Sequence, residues 1–214
     1  MELKGKRINF LGDSITEGCC ATSYDKCFVE IMRQTCSLAA AHNYGIGGTR
    51  IARQRTPSAE PKYDRDFCSR VSEMDADADI VLVFGGTNDH GHGDAPLGTV
   101  EDQTPDTFHG ALNTLYSLLK EHFPGAAIVV LTPLHRADEN APKEGSGAVL
   151  SDYVEIIRNA AHRHGLPVLD LYAASAIAAH IPEVAQQLTT DGLHPNDEGH
   201  AILAQEIAAF LKEL

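Results

Sequence analysis

Ile80-Val81-Leu82-Val83-Phe84, running without a spacer into Gly85-Gly86-Thr87-Asn88-Asp89, is the stretch on which the reading of the fold turns. A continuous apolar, largely β-branched run bounded by loop residues describes a strand covered on both faces. Such a strand belongs in a parallel sheet between layers of helix, so the flanking sequence should alternate strands with amphipathic helices.

It does so in both directions. Upstream, residues 8–11 form a short apolar run leading into Gly12-Asp13-Ser14, and a polar turn over 15–23 follows. Phe28, Ile31, Met32 and Thr35 recur at helical spacing, with Ser23 as the expected cap. Residues 39–44 make a weaker strand, because alanine and asparagine are poor strand formers. That strand ends in Gly45-Ile46-Gly47-Gly48, too glycine-rich to be anything but a tight loop. Residues 50–78 are polar and irregular; Pro57 and Pro61 exclude a long helix before Tyr63, and a short helix is expected over 64–73.

Downstream, Thr104-Pro105 reads as a helix start. Phe108, Leu112, Leu115, Tyr116 and Leu119 then mark one helical face, which stops near Pro124-Gly125. Residues 126–131 form a fourth strand, and 133–147 a long aperiodic connection of the kind that often carries function. Val149, Leu150, Tyr153, Val154, Ile157 and Ala161 mark a helix stopped at Gly165, residues 167–171 a fifth strand, and the last helix starts near Asn196 with Ile202, Leu203, Ile207 and Phe210. The expectation is an α/β chain with a five-stranded, mostly parallel sheet and helices on both faces, in a single domain over 1–214. Right-handed crossovers would bring the loops that follow the strands to one edge of that sheet.

Composition removes several function classes. The 214 residues carry a net charge of −13 and no Lys/Arg-rich stretch, which excludes tracking a phosphate backbone and disfavours an anionic membrane surface. The N-terminal residues offer neither a signal-peptide core nor a spanning helix, so membrane insertion is not expected and the chain as written is expected in the cytoplasm. The five cysteines, Cys19, Cys20, Cys27, Cys36 and Cys68, are odd in number and contain no C-x-x-C pair, which points to free thiols rather than a disulfide framework or a zinc site. A chain of this size needs no cofactor for stability, and no cofactor or metal is expected. Oligomeric state is not legible.

The chemistry-bearing residues fall in the loops. Ser14 stands just past a strand's C-terminal end, where open α/β sheets place their ligands. A serine hydroxyl becomes a nucleophile only when a base takes its proton. Asp191-Gly192-Leu193-His194 supplies both a base and its orienter: a neutral imidazole accepts the proton, and a carboxylate three residues earlier can hold the ring in the required tautomer. Attack on an ester carbonyl also needs donors for the developing oxyanion. The Ser14 amide, a glycine amide in the 45–48 loop and the Asn88 side chain can supply them. Asp13 and His90 are weaker candidates for touching substrate, with His92 an alternative to His90. The run Asp89-His90-Gly91-His92-Gly93-Asp94 reads as a polar loop in preference to a metal site. Cys19 and Cys20 lie near Ser14 in sequence but have no neighbouring base, so neither is expected to act as a nucleophile.

These motifs resemble those of the SGNH hydrolases, also called GDSL-type esterases and lipases. Gly12-Asp13-Ser14-Ile15 is similar to that family's first block, with Ile for Leu. Asn43-Tyr44-Gly45-Ile46-Gly47-Gly48 is similar to the second, Gly85-Gly86-Thr87-Asn88-Asp89 to the third, and Asp191-Gly192-Leu193-His194-Pro195 to the fifth. The resemblance implies a flavodoxin-like three-layer α/β/α fold and metal-free hydrolysis of esters or thioesters. It further implies Ser14, Asp191 and His194 as the catalytic residues, and an oxyanion hole of Ser14, Gly48 (with Gly47 as second choice) and Asn88. The form of the third block looks like that of esterases removing small acyl groups, often acetyl, from carbohydrates. A lysophospholipase or thioesterase, or a ligand-binding scaffold without catalysis, are the alternatives. The G-x-S-x-G elbow of ordinary α/β-hydrolases is absent, with Thr16 in the last glycine's place.

Overall fold

The computed structural model describes residues 1–144 and 146–214. Five strands, β1 (Arg7–Gly12), β2 (Ala40–Gly45), β3 (Ile80–Phe84), β4 (Ala127–Leu131) and β5 (Val168–Leu169), form one sheet in the order β2-β1-β3-β4-β5. Every pairing is parallel, so the sheet is wholly rather than mostly parallel, in the flavodoxin-type strand order. Nine α-helices accompany it among the described residues: α1 (Ser14–Glu17), α2 (Phe28–Thr35), α3 (Phe67–Arg70), α4 (Thr87–Gly91), α5 (Phe108–His122), α6 (Leu150–Arg163), α7 (Leu171–Ala174), α8 (Pro182–Leu188) and α9 (Asp197–Glu213).

The central strand explains the layers. Successive side chains of β3 point to opposite faces. Ile80, Leu82 and Phe84 join a core with Phe28 and Met32 of α2 and Leu203, Ile207 and Leu211 of α9. Val81 and Val83 enter a second core with Leu112, Leu115 and Leu119 of α5 and Tyr153 and Ile157 of α6. All five residues of β3 are buried, as a strand with helices on both faces requires.

Register places the chemistry. Gly12 is opposite both Gly45 of β2 and Phe84 of β3, so three strands end level. The segments that follow, 13–14, 46–48 and 86–88, therefore emerge side by side at one edge. Strand order reverses between β1 and β3, which is where an open sheet of this kind leaves a crevice.

Several expected boundaries move. Residues 14–17 form a helix where a polar turn was expected; four residues are too few to show a period. Ser23 precedes a 3-10 turn at Tyr24–Lys26 with no side-chain cap bond, and α2 starts after Cys27. Thr107, not Thr104, caps α5: its hydroxyl accepts from the Gly110 amide and donates to Asp102 at 2.8 Å. The fifth strand shrinks to two residues because Asp170 caps α7, accepting from the Ala173 amide, and turns Leu171 into a helix start. Helix α8 was not expected. No helix among the described residues is long and apolar enough to cross a membrane, and all five cysteines are free thiols.

Candidate active site

The candidate groups come from four segments, Asp191 and His194 sharing one, and the other three are locked together by buried polar contacts. Ser14 is the first residue of α1, and the Asp13 carboxylate caps that helix by accepting from the Ile15 amide at 3.0 Å. Glycine at 45 is required because a Cβ there would stand 2.1 Å from the Glu17 backbone nitrogen, so a side chain would drive β2 away from α1. Asn43 staples the same junction, donating to the Thr16 carbonyl and accepting from the Gly45 amide. Buried Arg70 donates to the carbonyls of Tyr44 and Gly12 and to the Thr49 hydroxyl, which ties the ends of β1 and β2 to the glycine loop. Burial lowers its pKa to about 10, so it stays charged at neutral pH. The Asp89 carboxylate accepts from the Ile51 and Ala52 amides and anchors α4 to the same loop.

Ser14 Oγ stands 2.9 Å from His194 Nε2. On the other side of the ring, His194 Nδ1 is 2.7 Å from Asp191 Oδ2. Asp191 Oδ1 accepts from the backbone amides of Leu193 and His194, which fixes the carboxylate against the ring. Burial works to raise the Asp191 pKa, but the hydrogen bonds from His194 and Leu193 outweigh it and hold the carboxyl below its ordinary range. An ionised Asp191 can only accept, so Nδ1 carries the ring proton and Nε2 presents its lone pair to the Ser14 hydroxyl.

Asn88, 4% exposed, is held by a hydrogen bond of 2.9 Å from Nδ2 to the Thr49 carbonyl, which leaves its second amide hydrogen uncommitted. The two candidate glycines differ. The Gly47 amide donates to Glu17 Oε2 at 2.8 Å, whereas the Gly48 amide has no hydrogen-bond partner among the described residues. Gly48 also has φ +75°, a left-handed conformation that a side chain would strain. As the first residue of its helix, Ser14 has an amide without an intrahelical acceptor. Ser14, Gly48, Asn88 and His194 all line one open cleft of about 490 Å³.

The weaker candidates fare differently. Asp13 is 2% exposed and does not line the cleft; it is committed to capping α1. His90 is 3% exposed, packs against Tyr153, and has Nε2 3.0 Å from the Ala141 carbonyl. The cleft-lining histidine of that run is His92, whose Nδ1 lies 3.2 Å from Arg50 Nη1. Among the described residues, close-set groups of three possible metal ligands occur at Cys19, Cys20 and His194 and at His135, Glu139 and His180, not in the 89–94 run.

Sequence reading missed Arg70 and Arg136. Arg136 comes from the 133–147 connection, of which position 145 lies outside the described residues. It reaches the cleft while donating to the Thr87 carbonyl and hydroxyl and to Asp138. Its position in an aperiodic connection between strand and helix was the available signal.

The buried carboxyls give a pH prediction. Burial pushes Asp13 from 3.8 up to about 6, partly offset by the Ile15 amide and by the charges of His194 and Arg70. A carboxyl raised in the folded state costs stability while ionised; the cost is present above pH 6 and is relieved as pH falls through the folded value toward the unfolded one. Asn at position 13 keeps the capping oxygen without the charge. Relative to the parent protein, Asp13→Asn should therefore be more stable at pH 7.5 than at pH 5 by about 1–2 kcal/mol in urea unfolding. An equal difference at both pH values would show that the Asp13 pKa is not raised by folding.

Comparison with known proteins agrees with this architecture. The GDSL-like Lipase/Acylhydrolase family model matches residues 10–202. The chain belongs to that family. It is 30% identical over 141 residues to platelet-activating factor acetylhydrolase IB subunit alpha1 of Pongo abelii, covering 65% of this chain and 48% of that protein. The chain thus matches about half the length of that curated relative. A crystal structure of a protein from Lactobacillus plantarum superposes with TM-score 0.85 at 31% identity, covering 98% of each chain. The acetyl xylan esterase AlAXEase superposes with TM-score 0.64 at 19% identity over 96% of this chain and 99% of that one, a likeness of fold.

Proposed function

We propose that this family member is a serine-dependent carboxylic ester hydrolase acting on small acyl esters, acetyl foremost, with carbohydrate esters as the favoured class. The observation that carries the reading is the continuous relay from Ser14 Oγ through His194 to Asp191, with links of 2.9 and 2.7 Å.

In this reading the Ser14 hydroxyl donates its proton to His194 Nε2 as Oγ attacks the acyl carbon. The carbonyl electrons move onto oxygen, where the amides of Ser14 and Gly48 and the free amide hydrogen of Asn88 receive the charge. Collapse expels the alcohol, which takes the proton back from His194 and leaves an acyl-serine. Water then repeats the sequence, again giving its proton to His194, and releases the acid. The uncommitted Gly48 amide, set against the engaged Gly47 amide, supports Gly48 as the backbone donor.

Support for a small substrate comes from the open cleft, about 490 Å³ with Ile46, Tyr63 and Leu193 as its larger apolar walls, and from a curated relative named as an acetylhydrolase. Turnover of nitrophenyl esters of increasing acyl length, run beside acetylated sugars, tests it. Acetyl and other short esters should be the best substrates. A strong preference for long acyl chains would favour a lysophospholipase or thioesterase, and binding without turnover a scaffold. Asn88→Ala should lower kcat by on the order of 10²–10³, the usual loss for one oxyanion donor; an unchanged kcat would remove Asn88 from the mechanism.

A further inference from the structure

Cys19 and Cys20 lie just beyond α1, past Gly18, and have no part in the proposed hydrolysis. Cys20 has φ +70°, a left-handed conformation that residues with side chains seldom adopt. In an extended chain, neighbouring side chains point to opposite sides. The turn here instead brings the two Sγ atoms to 3.7 Å of each other. The segment is braced: the Cys19 amide donates to the Ser14 carbonyl at 2.9 Å, and the Cys19 carbonyl lies 3.3 Å from Nε2 of fully buried His200. The two thiols and a ring nitrogen of His194 all lie within 4.8 Å of one another.

We propose that Cys19, Cys20 and His194 form a binding site for a thiophilic divalent cation, Zn²⁺ or Cd²⁺, and that its occupancy switches the hydrolase off. Thiolate and imidazole are the donors such ions prefer. Two thiolates on one tetrahedral zinc, with Zn–S of about 2.3 Å, stand about 3.8 Å apart, and the observed sulfur separation is 3.7 Å. The carboxylates of Asp191 and Glu17 act on Cys19 through space and add negative potential where a cation would sit. On binding, the cation displaces both thiol protons to solvent and accepts an electron pair from each sulfur and from the ring nitrogen; no oxidant is involved.

The inhibitory consequence rests on the hydrolase reading above, although the binding itself does not. Both ring nitrogens are already committed, Nε2 to Ser14 and Nδ1 to Asp191. A metal on Nε2 consumes the lone pair that receives the serine proton. A metal on Nδ1 takes that nitrogen's electron pair only as its proton moves to Nε2, which breaks the contact with Asp191 and turns a donor toward Ser14. Either mode leaves Ser14 without a base.

Cadmium titration of the intact protein, followed by thiolate-to-metal charge-transfer absorption, reads the site without using activity. The expected result is a one-equivalent band that is lost in Cys20→Ser and in Cys19→Ser and retained in Cys36→Ser. In parallel, Zn²⁺ should inhibit ester turnover, with activity restored by EDTA. Cys20→Ser, at a position outside the cleft lining, should keep metal-free turnover and need on the order of 10–100-fold more zinc for half-inhibition. No band, or equal zinc sensitivity in Cys20→Ser, would overturn the proposal. A band in a protein that hydrolyses no ester would support the metal site and sink the hydrolase reading instead.

Discussion

Ser14→Ala should lower kcat on a short-chain nitrophenyl ester by on the order of 10⁴–10⁶-fold, the loss that follows removal of a nucleophile acting as one unit with its base. The fold should tolerate the change. Ser14 is 9% exposed at the first position of a short helix, and the one side-chain hydrogen bond it makes among the described residues is to His194. Alanine fits the same backbone, so the urea midpoint should move little while turnover collapses. KM should change far less than kcat, because the hydroxyl contributes mainly to the transition state. Turnover equal to that of the parent protein would refute a serine mechanism.

Asp191→Asn should be the second largest effect, a fall in kcat on the order of 10⁴. The loss comes from proton placement. The Asp191 carboxylate accepts the Nδ1 proton at 2.7 Å and two backbone amides through its other oxygen. Asparagine can keep the two amide contacts through its carbonyl oxygen, so the loop has no reason to move. Its NH₂ then faces Nδ1 as a donor, which favours the tautomer with the proton on Nε2, aimed at Ser14. A hydroxyl facing an N–H has no base. The Asp191 side chain is 49% exposed, so solvent supplies part of what the carboxylate loses, and a fall below 10⁴ but above 10² would still fit. Undiminished kcat in Asp191→Asn would show that the carboxylate does not set the tautomer.

Much of the fold was legible because long-range burial leaves a local mark. The run at residues 80–84 is apolar throughout because β3 has helices on both faces, and it appears in the structure with the same limits. Helices α5 and α6 were legible by period. The misses share a cause: α1, α7 and α8 are four, four and seven residues long, too short for a helical period to stand out. At α5 the expected start at Thr104 gave way to Thr107, whose hydroxyl accepts from the Gly110 amide and donates to Asp102.

The site was legible as an inventory but not as an arrangement. Asp13 and His90 sit beside Ser14 and the Asn88-Asp89 pair in sequence, yet one caps a helix and the other packs on Tyr153. Arg70 carries no local sign of its role, since its partners at Gly12, Tyr44 and Thr49 come from three segments.

The sequence by itself determined the chemical repertoire: a hydroxyl, an imidazole, a carboxylate and neutral amide donors, each just past a strand end or in a loop. Tertiary structure decided which of them meet. Ser14 and His194 are 180 residues apart in sequence and 2.9 Å apart in space. The loop carrying His194 reaches Ser14 because α9, which follows it, packs with α2 in one core, and because the Asp197 carboxylate at the start of α9 accepts from the Thr22 amide and hydroxyl at 2.8 and 2.7 Å, just past α1. The same packing set Cys19 and Cys20 beside His194, because contact between distant segments follows from register and crossover handedness, which no local run of residues encodes.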